Sequence, residues 1–363
     1  MKKILTVIGA RPQFIKASVV SRAIKEKESL KEVVIHTGQH FDHNMSQIFF
    51  DQLEIERPAF NLGVSGGNHG EQTGKMIIGI EEVILKEKPD VVLLYGDTNS
   101  TLAGSIAASK LHIPIAHVEA GLRSYNMKMP EEVNRILTDR ISSFLFTPST
   151  NADQNLRKEG IEKEKIFCVG DVMNDSAIHF GKLANQKVNV FKEFELENEN
   201  YILITIHRAE NTDDDERLHS IVRALESITD DYELIWPLHP RTRNRLKELN
   251  YDTSISPIRF IEPVGYLEML QMVSGASLVI TDSGGLQKET YFNDVRCLIA
   301  RNETEWVELV DSGFNRLLRD ISELKSNVND MIGHSISDFD KNIYGDGKAS
   351  QKIASVLDQS LNG

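Results

Sequence analysis

Two carboxylates follow two buried-strand patterns in the first half of the chain. The apolar run 91–95 leads through Gly96 into Asp97, and the run 113–118 leads into Glu119. In open α/β sheets, ligands bind at the carboxyl ends of the strands, so the two acids are expected to share one crevice. Neighbouring carboxylates repel and raise each other's pKa, which makes such a pair costly for structure alone. The pair suits the removal of a proton from one side of a substrate and its return on the other.

A third acid, Glu131, stands at a predicted helix start in Pro130-Glu131-Glu132. Acids are favoured there by the helix dipole, and for Glu131 alone this structural explanation is sufficient. Its closeness in sequence to Glu119 supports the alternative of a role at the same crevice.

The first predicted strand ends in a turn that could bind an anion. Gly9 permits a tight turn, Pro12 fits the first turn of a helix, and helix N-termini attract anions. Arg11 and Lys16 could both lean toward that site, although Lys16 alone could be a solvated helix lysine. The turn does not have the GxGxxG spacing, so it gives little support to a dinucleotide site.

A second glycine-rich turn follows the apolar run 278–280. Ser283, Gly284 and Gly285 could bring backbone N–H groups to a diphosphate, with a simple helix cap as the alternative. Glu289, in the helix that follows, could reach ribose hydroxyls or could be a surface glutamate.

Two histidines, His207 and His239, follow predicted strands in the second half of the chain. A lone histidine at a strand end is often a hydrogen-bonded structural residue. Here each has arginines beside it, Arg208 in one case and Arg241 and Arg243 in the other, so we interpret both segments as anion contacts. No ligand spacing typical of a metal site is present, and we expect no metal.

Composition describes an ordinary globular protein. Of 363 residues, 40% are hydrophobic and 26% are charged, and the net charge of -13 argues against nucleic-acid binding. The two cysteines lack disulfide or metal spacing, which fits a reducing cytoplasm. The N-terminal apolar run is too short for a signal peptide, and no stretch is long enough to span a membrane, so we expect a cytoplasmic protein without a membrane partner.

Strand and helix patterns alternate along the whole chain, which predicts an α/β protein with parallel sheets. The predicted strands are 3–8, 32–37, 90–95, 113–118, 143–147, 165–169, 201–206, 232–237, 257–261, 277–281 and 296–299. They are too many for one compact sheet, so we predict two Rossmann-like doubly wound domains, 1–170 and 171–346. The polar stretch 181–200 is interpreted as a linker, and a last helix, within 347–363, could pack back on the first domain.

Together these segments resemble the non-hydrolysing UDP-N-acetylglucosamine 2-epimerase family, in order and over almost the whole chain. The matching pieces are Gly9-Ala10-Arg11-Pro12 with Lys16, Thr37-Gly38-Gln39-His40, Tyr95-Gly96-Asp97-Thr98, His117-Val118-Glu119-Ala120-Gly121-Leu122-Arg123, Pro130-Glu131-Glu132-Val133-Asn134-Arg135, His207-Arg208 and Thr281-Asp282-Ser283-Gly284-Gly285. The resemblance implies a glycosyltransferase-B-like pair of Rossmann domains with an interdomain active-site cleft for a UDP-sugar. It also implies a homodimer.

The chemistry that the resemblance implies is an anti elimination of UDP to a 2-acetamidoglucal, followed by re-addition, without a nicotinamide or other cofactor. It implies interconversion of UDP-N-acetylglucosamine and UDP-N-acetylmannosamine for surface polysaccharide synthesis. The residues it places in catalysis are Asp97, Glu119, Glu131 and His207. The residues it places in substrate binding are Arg11, Lys16, His239, Ser283, Gly284, Gly285 and Glu289, and to these we add Arg123, Arg208 and Arg241 as expected substrate contacts.

The sequence departs from the main epimerases at two motifs. Gln13 stands where a glutamate is familiar, and Trp306-Val307 stands where Arg-Pro is frequent. These variations resemble a subgroup that includes epimerases of UDP-2,3-diacetamido-2,3-dideoxyglucuronate, used in O-antigen synthesis, so that substrate is the alternative. Further alternatives are a UDP-sugar glycosyltransferase of the same architecture, a hydrolysing epimerase and a nucleotide-sugar sensor.

Overall fold

The computed structural model describes residues 1–38, 57–197, 200–332 and 339–363. They divide into two compact units, one formed by 1–176 with 342–363 and the other by 177–341. The domain boundary predicted after residue 170 falls shortly before this division.

The first unit is built on a sheet of seven parallel strands. The strands are β1 (Lys2–Ile8), β2 (Leu30–His36), β3 (Phe60–Asn61), β4 (Val91–Tyr95), β5 (Ile115–Val118), β6 (Phe144–Thr147) and β7 (Ile166–Cys168). Their order in the sheet is β3-β2-β1-β4-β5-β6-β7. From β1 the chain adds strands first on one side, β2 and β3, and then on the other, β4 to β7, so the order of the strands reverses between β1 and β4. Ligands of open α/β sheets bind at such a switch point.

The helices of the first unit pack against this sheet and against each other. They are Arg11–Lys25, His69–Glu87, Asn99–Lys110, Pro130–Ile141, Thr150–Lys158 and Ala349–Asn362, with Val172–Lys187 crossing into the second unit. Three of them, His69–Glu87, Asn99–Lys110 and Pro130–Ile141, lie side by side. The last helix packs on Arg11–Lys25, so the end of the chain returns to the first unit.

The second unit has a six-stranded parallel sheet. Its strands are β8 (Tyr201–Thr205), β9 (Glu233–Pro237), β10 (Arg259–Ile261), β11 (Leu278–Thr281), β12 (Cys297–Ile299) and β13 (Asn315–Leu317), in the order β10-β9-β8-β11-β12-β13. Its helices are Val190–Glu193, Ala209–Thr212, Asp215–Glu226, Pro240–Glu248, Tyr266–Ser274, Gly284–Phe292, Val307–Asp311 and Leu324–Ile332. Again the order reverses at one point, between β8 and β11.

Both faces of the second sheet are covered. Ile202 and Ile204 of β8 belong to one apolar cluster, while Tyr201 and Leu203 of the same strand belong to another. A strand buried on both faces needs apolar side chains at every position, which is why these strands read as continuous apolar runs in the sequence.

The predicted linker 181–200 is wrong. The helix Val172–Lys187 runs through its first part, and the short helix Val190–Glu193 follows. Val190 and Leu196 are buried in the second unit, so a few apolar residues in a polar stretch are enough to dock it. Two short strands, β3 and β13, were not predicted either. No helix among the described residues is long and apolar enough to cross a membrane.

Candidate active site

In the first unit, Gln13 joins the ends of the two strands that flank the switch point. Its side-chain oxygen accepts hydrogen bonds from the backbone N–H groups of Gly9 (2.8 Å) and Ala10 (3.0 Å), which follow β1. Its amide nitrogen donates to the carbonyl of Tyr95 (2.7 Å) at the end of β4 and to the hydroxyl of Thr98 (3.0 Å). An amide can accept on one side and donate on the other, whereas a carboxylate can only accept.

Gly9 is required by a close approach of neighbouring side chains. A Cβ atom at this position would lie 2.1 Å from both the Ser100 and the Thr37 hydroxyl oxygens. These two hydroxyls are 2.8 Å apart and hydrogen-bond each other. The strand end, the turn and the start of the helix Asn99–Lys110 are therefore locked together.

Glu119 lies at the end of β5 and is buried together with its partner Lys16. The Lys16 ammonium donates to the Glu119 carboxylate. The backbone of Glu119 has a φ of +73°, an unfavourable conformation for a residue with a Cβ, and the N–H group of Glu119 donates to the carbonyl of Phe146 (3.1 Å). Strain of this kind is retained where the surrounding structure fixes it, and it aims the carboxylate at Gly96.

Gly96 leaves room for this ion pair. A Cβ at Gly96 would lie 3.3 Å from the Glu119 Oε2 atom and 3.8 Å from Lys16 Nζ. The φ of Gly96 is +61°, a value that glycine adopts without strain. The next residue, Asp97, is partly exposed and accepts a hydrogen bond from the buried guanidinium of Arg135.

The structure thus brings Asp97 and Glu119 to neighbouring strand ends, as predicted, and gives each carboxylate its own cation. Arg135 is held in turn by Glu132, whose carboxylate accepts from Arg135 Nη1 (2.9 Å) and from the Tyr125 N–H group (2.8 Å). Glu132 is fully buried, so it is a support for the site and not a group that could reach a substrate.

His117 and Asp139 form a buried support behind the two acids. His117 hydrogen-bonds the Gly96 carbonyl through Nε2 (2.7 Å) and the Asp139 carboxylate through Nδ1 (2.7 Å). Asp139 also accepts from Arg123 Nη1 (2.7 Å). Burial raises the pKa of Asp139, but the hydrogen bonds and charges of His117 and Arg123 outweigh it and hold this pKa below its usual value.

Arg123 was predicted to bind substrate, and the structure gives its guanidinium other partners. The group is buried, and besides Asp139 it donates to Glu159 through Nε (2.7 Å) and Nη2 (2.7 Å) and to the carbonyl of Leu122 (2.6 Å). Burial lowers the pKa of Arg123, but the hydrogen bonds and charges of Glu159 and Asp139 outweigh it and raise this pKa above its usual value. Arg123 therefore holds the loop after β5 in place.

One other predicted residue, Glu131, is not brought into this cluster. Glu131 is exposed in the first turn of the helix Pro130–Ile141, where the dipole favours an acid. Arg11 begins the helix Arg11–Lys25, but its side chain lies outside the described part of the structure, as do residues Gln39 and His40.

In the second unit, Asp282 organises the switch point between β8 and β11. Its fully buried carboxylate accepts from the backbone N–H groups of His207 (3.0 Å) and Arg208 (2.9 Å) and from the side-chain amide of Asn211 (2.9 Å). The segment after β8 is thereby fixed beside the turn after β11.

The turn after β11 presents the N-terminus of the helix Gly284–Phe292. Ser283 precedes the helix, and its side chain makes no capping hydrogen bond. The first N–H groups of a helix have no partner within the helix and can receive an anion. The Arg208 guanidinium stands over this turn, 3.6 Å from where a Cβ of Gly284 would be, whereas a Cβ at Gly285 would meet nothing within 4 Å.

A buried ion pair follows β12. Arg301 is 3% exposed and donates to Glu305 through Nη1 (3.0 Å). Burial raises the pKa of Glu305, but the hydrogen bond and charge of Arg301, with a further contribution from Arg208, bring it below its usual value. Glu305 therefore balances the positive charge beside the turn.

His207 and His239 lie together, with ring centroids 5.2 Å apart. Burial lowers the pKa of His239, and the charges of His207 and Arg241 lower it further, so His239 is neutral at pH 7. Arg241 was predicted to contact the ligand, but its exposed guanidinium pairs with Asp213 (2.6 Å). Glu289 is buried in the second turn of its helix.

Sequence reasoning did not assign four of the residues that shape these two sites. Gln13, Arg135, Asp282 and Arg301 all lie within a few residues of a strand end or an assigned residue, and this position was the available signal. For Gln13, Arg135 and Asp282 the sequence lacks the partner of the group, because these contacts join segments far apart in the chain. Arg301 pairs with Glu305, only four residues further along. Among the described residues, no group of three or more His, Cys, Asp or Glu side chains could hold a metal ion.

Comparisons with known proteins agree on one family. The sequence profile described as UDP-N-acetylglucosamine 2-epimerase matches residues 22–358. The chain is 53% identical to a Pseudomonas aeruginosa UDP-2,3-diacetamido-2,3-dideoxy-D-glucuronate 2-epimerase over 98% of this chain and 99% of that protein. It is 46% identical to a Methanocaldococcus jannaschii UDP-N-acetylglucosamine 2-epimerase over 98% of both chains. The crystal structure of a M. jannaschii UDP-GlcNAc 2-epimerase with UDP-GlcNAc and UDP matches with a TM-score of 0.89 and 45% identity, covering 98% of this chain and 99% of that one.

Proposed function

Because the chain belongs to the UDP-N-acetylglucosamine 2-epimerase family, we propose that it inverts C2 of UDP-N-acetylglucosamine to give UDP-N-acetylmannosamine, and the reverse. The chain is an isomerase that acts on a nucleotide sugar. The observation that carries the proposed chemistry is the pair of strand-end carboxylates, Asp97 and Glu119, each with its own buried cation.

The proposed reaction is an elimination followed by an addition. One carboxylate takes the proton from C2, the electrons of that C–H bond form the C1–C2 double bond, and the C1–O bond breaks with UDP as the leaving group. UDP then attacks C1 again while a carboxylic acid returns a proton to the other face of C2. Two carboxyl groups suit these two transfers because each can act as base or acid according to its protonation.

Lys16 and Arg135 each place a positive charge beside one of the two proposed catalytic acids, Glu119 and Asp97. A cation beside a carboxylate favours its ionised form, which is the form that removes a proton. Both cations are buried, and Glu119 is buried with Lys16, where charges interact more strongly than in water, whereas Asp97 is partly exposed. Each carboxylate therefore has a positive charge beside it at its strand end.

The second unit would bind the UDP portion of the substrate. The uncapped helix start at Gly284, with the Arg208 guanidinium beside it, supplies N–H donors and positive charge for a diphosphate. We further propose that His207 contacts the diphosphate, since Asp282 fixes its backbone next to this turn. Glu289 remains a proposed ribose contact.

A second substrate has comparable support. The relative at 53% identity is named for UDP-2,3-diacetamido-2,3-dideoxy-D-glucuronate, so we propose this sugar as the alternative. The reaction at C2 would be the same. Only a pocket for the 3-acetamido group and the C6 carboxylate would differ.

We propose that the protein is a homodimer joined through its first unit. Two of the three helices that lie side by side there, His69–Glu87 and Pro130–Ile141, carry large exposed apolar residues, Ile78 (63% exposed) and Leu85 (57%) on the first and Leu137 (47%) on the second. Large exposed apolar side chains are common in protein–protein interfaces. The double variant Ile78→Glu/Leu137→Glu should sediment as a monomer, whereas Ile255→Glu, at an 82% exposed site of the second unit, should not change the mass.

We also propose that the protein works in the cytoplasm. Cys168 and Cys297 are both free thiols, as is usual in a reducing compartment. Fractionation of the source cells, with an antibody to the protein, would test this.

Proton NMR in deuterated water tests the function. With UDP-N-acetylglucosamine, we expect the C2 proton signal to disappear while UDP-N-acetylmannosamine accumulates. Exchange only with the diacetamido uronate would assign the alternative substrate. Release of free N-acetylmannosamine and UDP would identify a hydrolysing epimerase, and no exchange with either sugar would reject the proposal.

A further inference from the structure

The segment after β12 is docked on the first turn of the helix Gly284–Phe292. The Trp306 indole N–H donates to the Gly284 carbonyl (2.8 Å). The Thr304 hydroxyl donates to the Gln287 side-chain oxygen (2.6 Å), and the Gln287 amide donates to the Ser283 carbonyl (3.2 Å). The carbonyls of two consecutive residues of the turn, Ser283 and Gly284, are therefore held by side chains, and Thr304 holds the Gln287 amide that contacts Ser283.

Trp306 is itself held by a buried cation. The Lys288 ammonium lies 3.8 Å from the centroid of the Trp306 ring, and both side chains are buried, Lys288 at 1% exposure and Trp306 at 7%. A cation over an indole face is attracted by the ring quadrupole, and more strongly when the pair is desolvated. Lys288 thus fixes the plane of the ring and so the direction of its N–H group.

From these contacts we propose that Trp306 is a positioning residue for the diphosphate of the nucleotide, acting through the Gly284 carbonyl. A peptide unit that is held at its oxygen cannot rotate, so the N–H groups of the first helical turn keep their direction toward the anion. Lys288 acts through the ring, because its ammonium holds the plane of the indole. The inference depends on the proposed function, since it assumes that this turn receives UDP.

The test uses the fact that the chain has two tryptophans, Trp236 and Trp306. Trp236 lies in the core of the second unit, and its indole N–H has no hydrogen-bond partner among the described residues. Trp236→Phe is therefore a matched control, because it makes the same substitution without removing a hydrogen bond. It also leaves Trp306 as the only fluorescent indole.

In Trp236→Phe we expect UDP to change the Trp306 emission in a saturable way. Trp306→Phe keeps an aromatic ring beside Lys288 but removes the N–H donor, and the ring volume that it loses is the same as in Trp236→Phe. We expect it to raise the Kd for UDP, measured by calorimetry, about three- to tenfold, the usual range for one lost hydrogen bond. The KM for the nucleotide sugar should rise by the same factor with kcat nearly unchanged, because the diphosphate is held in both the ground state and the transition state.

The outcomes are distinct. If the wild type binds no UDP, the proposed function fails and this inference with it. If the wild type binds UDP and Trp306→Phe binds it as tightly as Trp236→Phe does, only the inference is overturned. If Trp306→Phe loses cooperative unfolding, Lys288→Met decides, since a raised Kd supports the positioning role and an unchanged Kd rejects it.

Discussion

At the scale of single residues, catalysis should depend on the Lys16–Glu119 pair far more than on ion pairs elsewhere. Glu119→Gln preserves the shape of the side chain but cannot accept a proton. We expect deuterium exchange at C2 to slow by about 10²–10⁴-fold, the usual share of a general base, with UDP binding retained. The matched control is Glu71→Gln, which alters an exposed Lys–Glu pair (2.6 Å to Lys75) in the same unit. Equal rates in the two variants would remove Glu119 from the mechanism.

Also at this scale, Asp139 should make the first unit sensitive to acid. Its pKa in the folded protein lies below its usual value of 3.8, so its stabilising effect is complete above that value and is lost as the pH falls through the folded pKa. In urea unfolding from pH 7 to pH 3, Asp139→Asn should therefore flatten the fall in the free energy of unfolding below about pH 4. Asp153→Asn, beside the exposed Arg157, is the control and should keep the wild-type slope. A slope unchanged in Asp139→Asn would contradict the role of the buried network.

At the scale of elements, the junction of β1, the turn and the helix Arg11–Lys25 tolerates no added volume. Gly9→Ala places a Cβ atom 2.1 Å from the hydroxyls of Ser100 and Thr37, so one of them or the backbone must shift. We expect a loss of about 1–3 kcal/mol in stability by urea unfolding, with a lowered epimerase rate because Lys16 follows in the same helix. Gly181→Ala, where an added Cβ meets nothing within 4 Å, should cost no stability and serves as the control. A stable, fully active Gly9→Ala would show that this junction does not position the site.

The sequence predicted the positions of secondary-structure elements better than the contacts of single residues. Eleven of the thirteen strands in the described residues were predicted from apolar runs, all but the short β3 and β13, because strands covered on both faces leave no polar position to confuse the pattern. The prediction failed at 181–200, where docking depends on only a few residues such as Val190 and Leu196. For Arg123, position beside a predicted site suggested a ligand contact, whereas its partners Asp139 and Glu159 could be known only from the fold.

At the scale of the whole molecule, both units use the same order of strands around their switch points, with a polar side chain that ties the two strand ends together. Gln13 does this in the first unit and Asp282 in the second. The chemistry of the two ties differs, since an amide joins carbonyls and N–H groups while a carboxylate collects only N–H groups. The first unit correspondingly displays acids with their cations, and the second displays a helix start with a guanidinium.

The path of the chain predicts how the two units respond to truncation. The first unit is closed by the C-terminal helix, whose residues Ile353 and Leu357 are fully buried and whose first N–H groups, at Ala349 and Ser350, donate to Asp175 (3.1 and 2.8 Å). Two such side chains contribute about 3–6 kcal/mol by burial. Removing residues 342–363 should therefore lower the unfolding temperature of the first unit and abolish epimerisation.

The second unit, a continuous segment, should keep its own transition and its affinity for UDP in the truncated protein. Calorimetric scans with and without UDP would separate the unfolding transitions of the two units, since a ligand raises the unfolding temperature only of the unit that binds it. Leu357→Ala is the milder variant. It should lower the free energy of unfolding of the first unit by about 2–5 kcal/mol and leave that of the second unit unchanged. If UDP stabilisation disappears together with the first transition, nucleotide binding needs an intact first unit, and the division of labour between acids and anion turn proposed for this epimerase would be wrong.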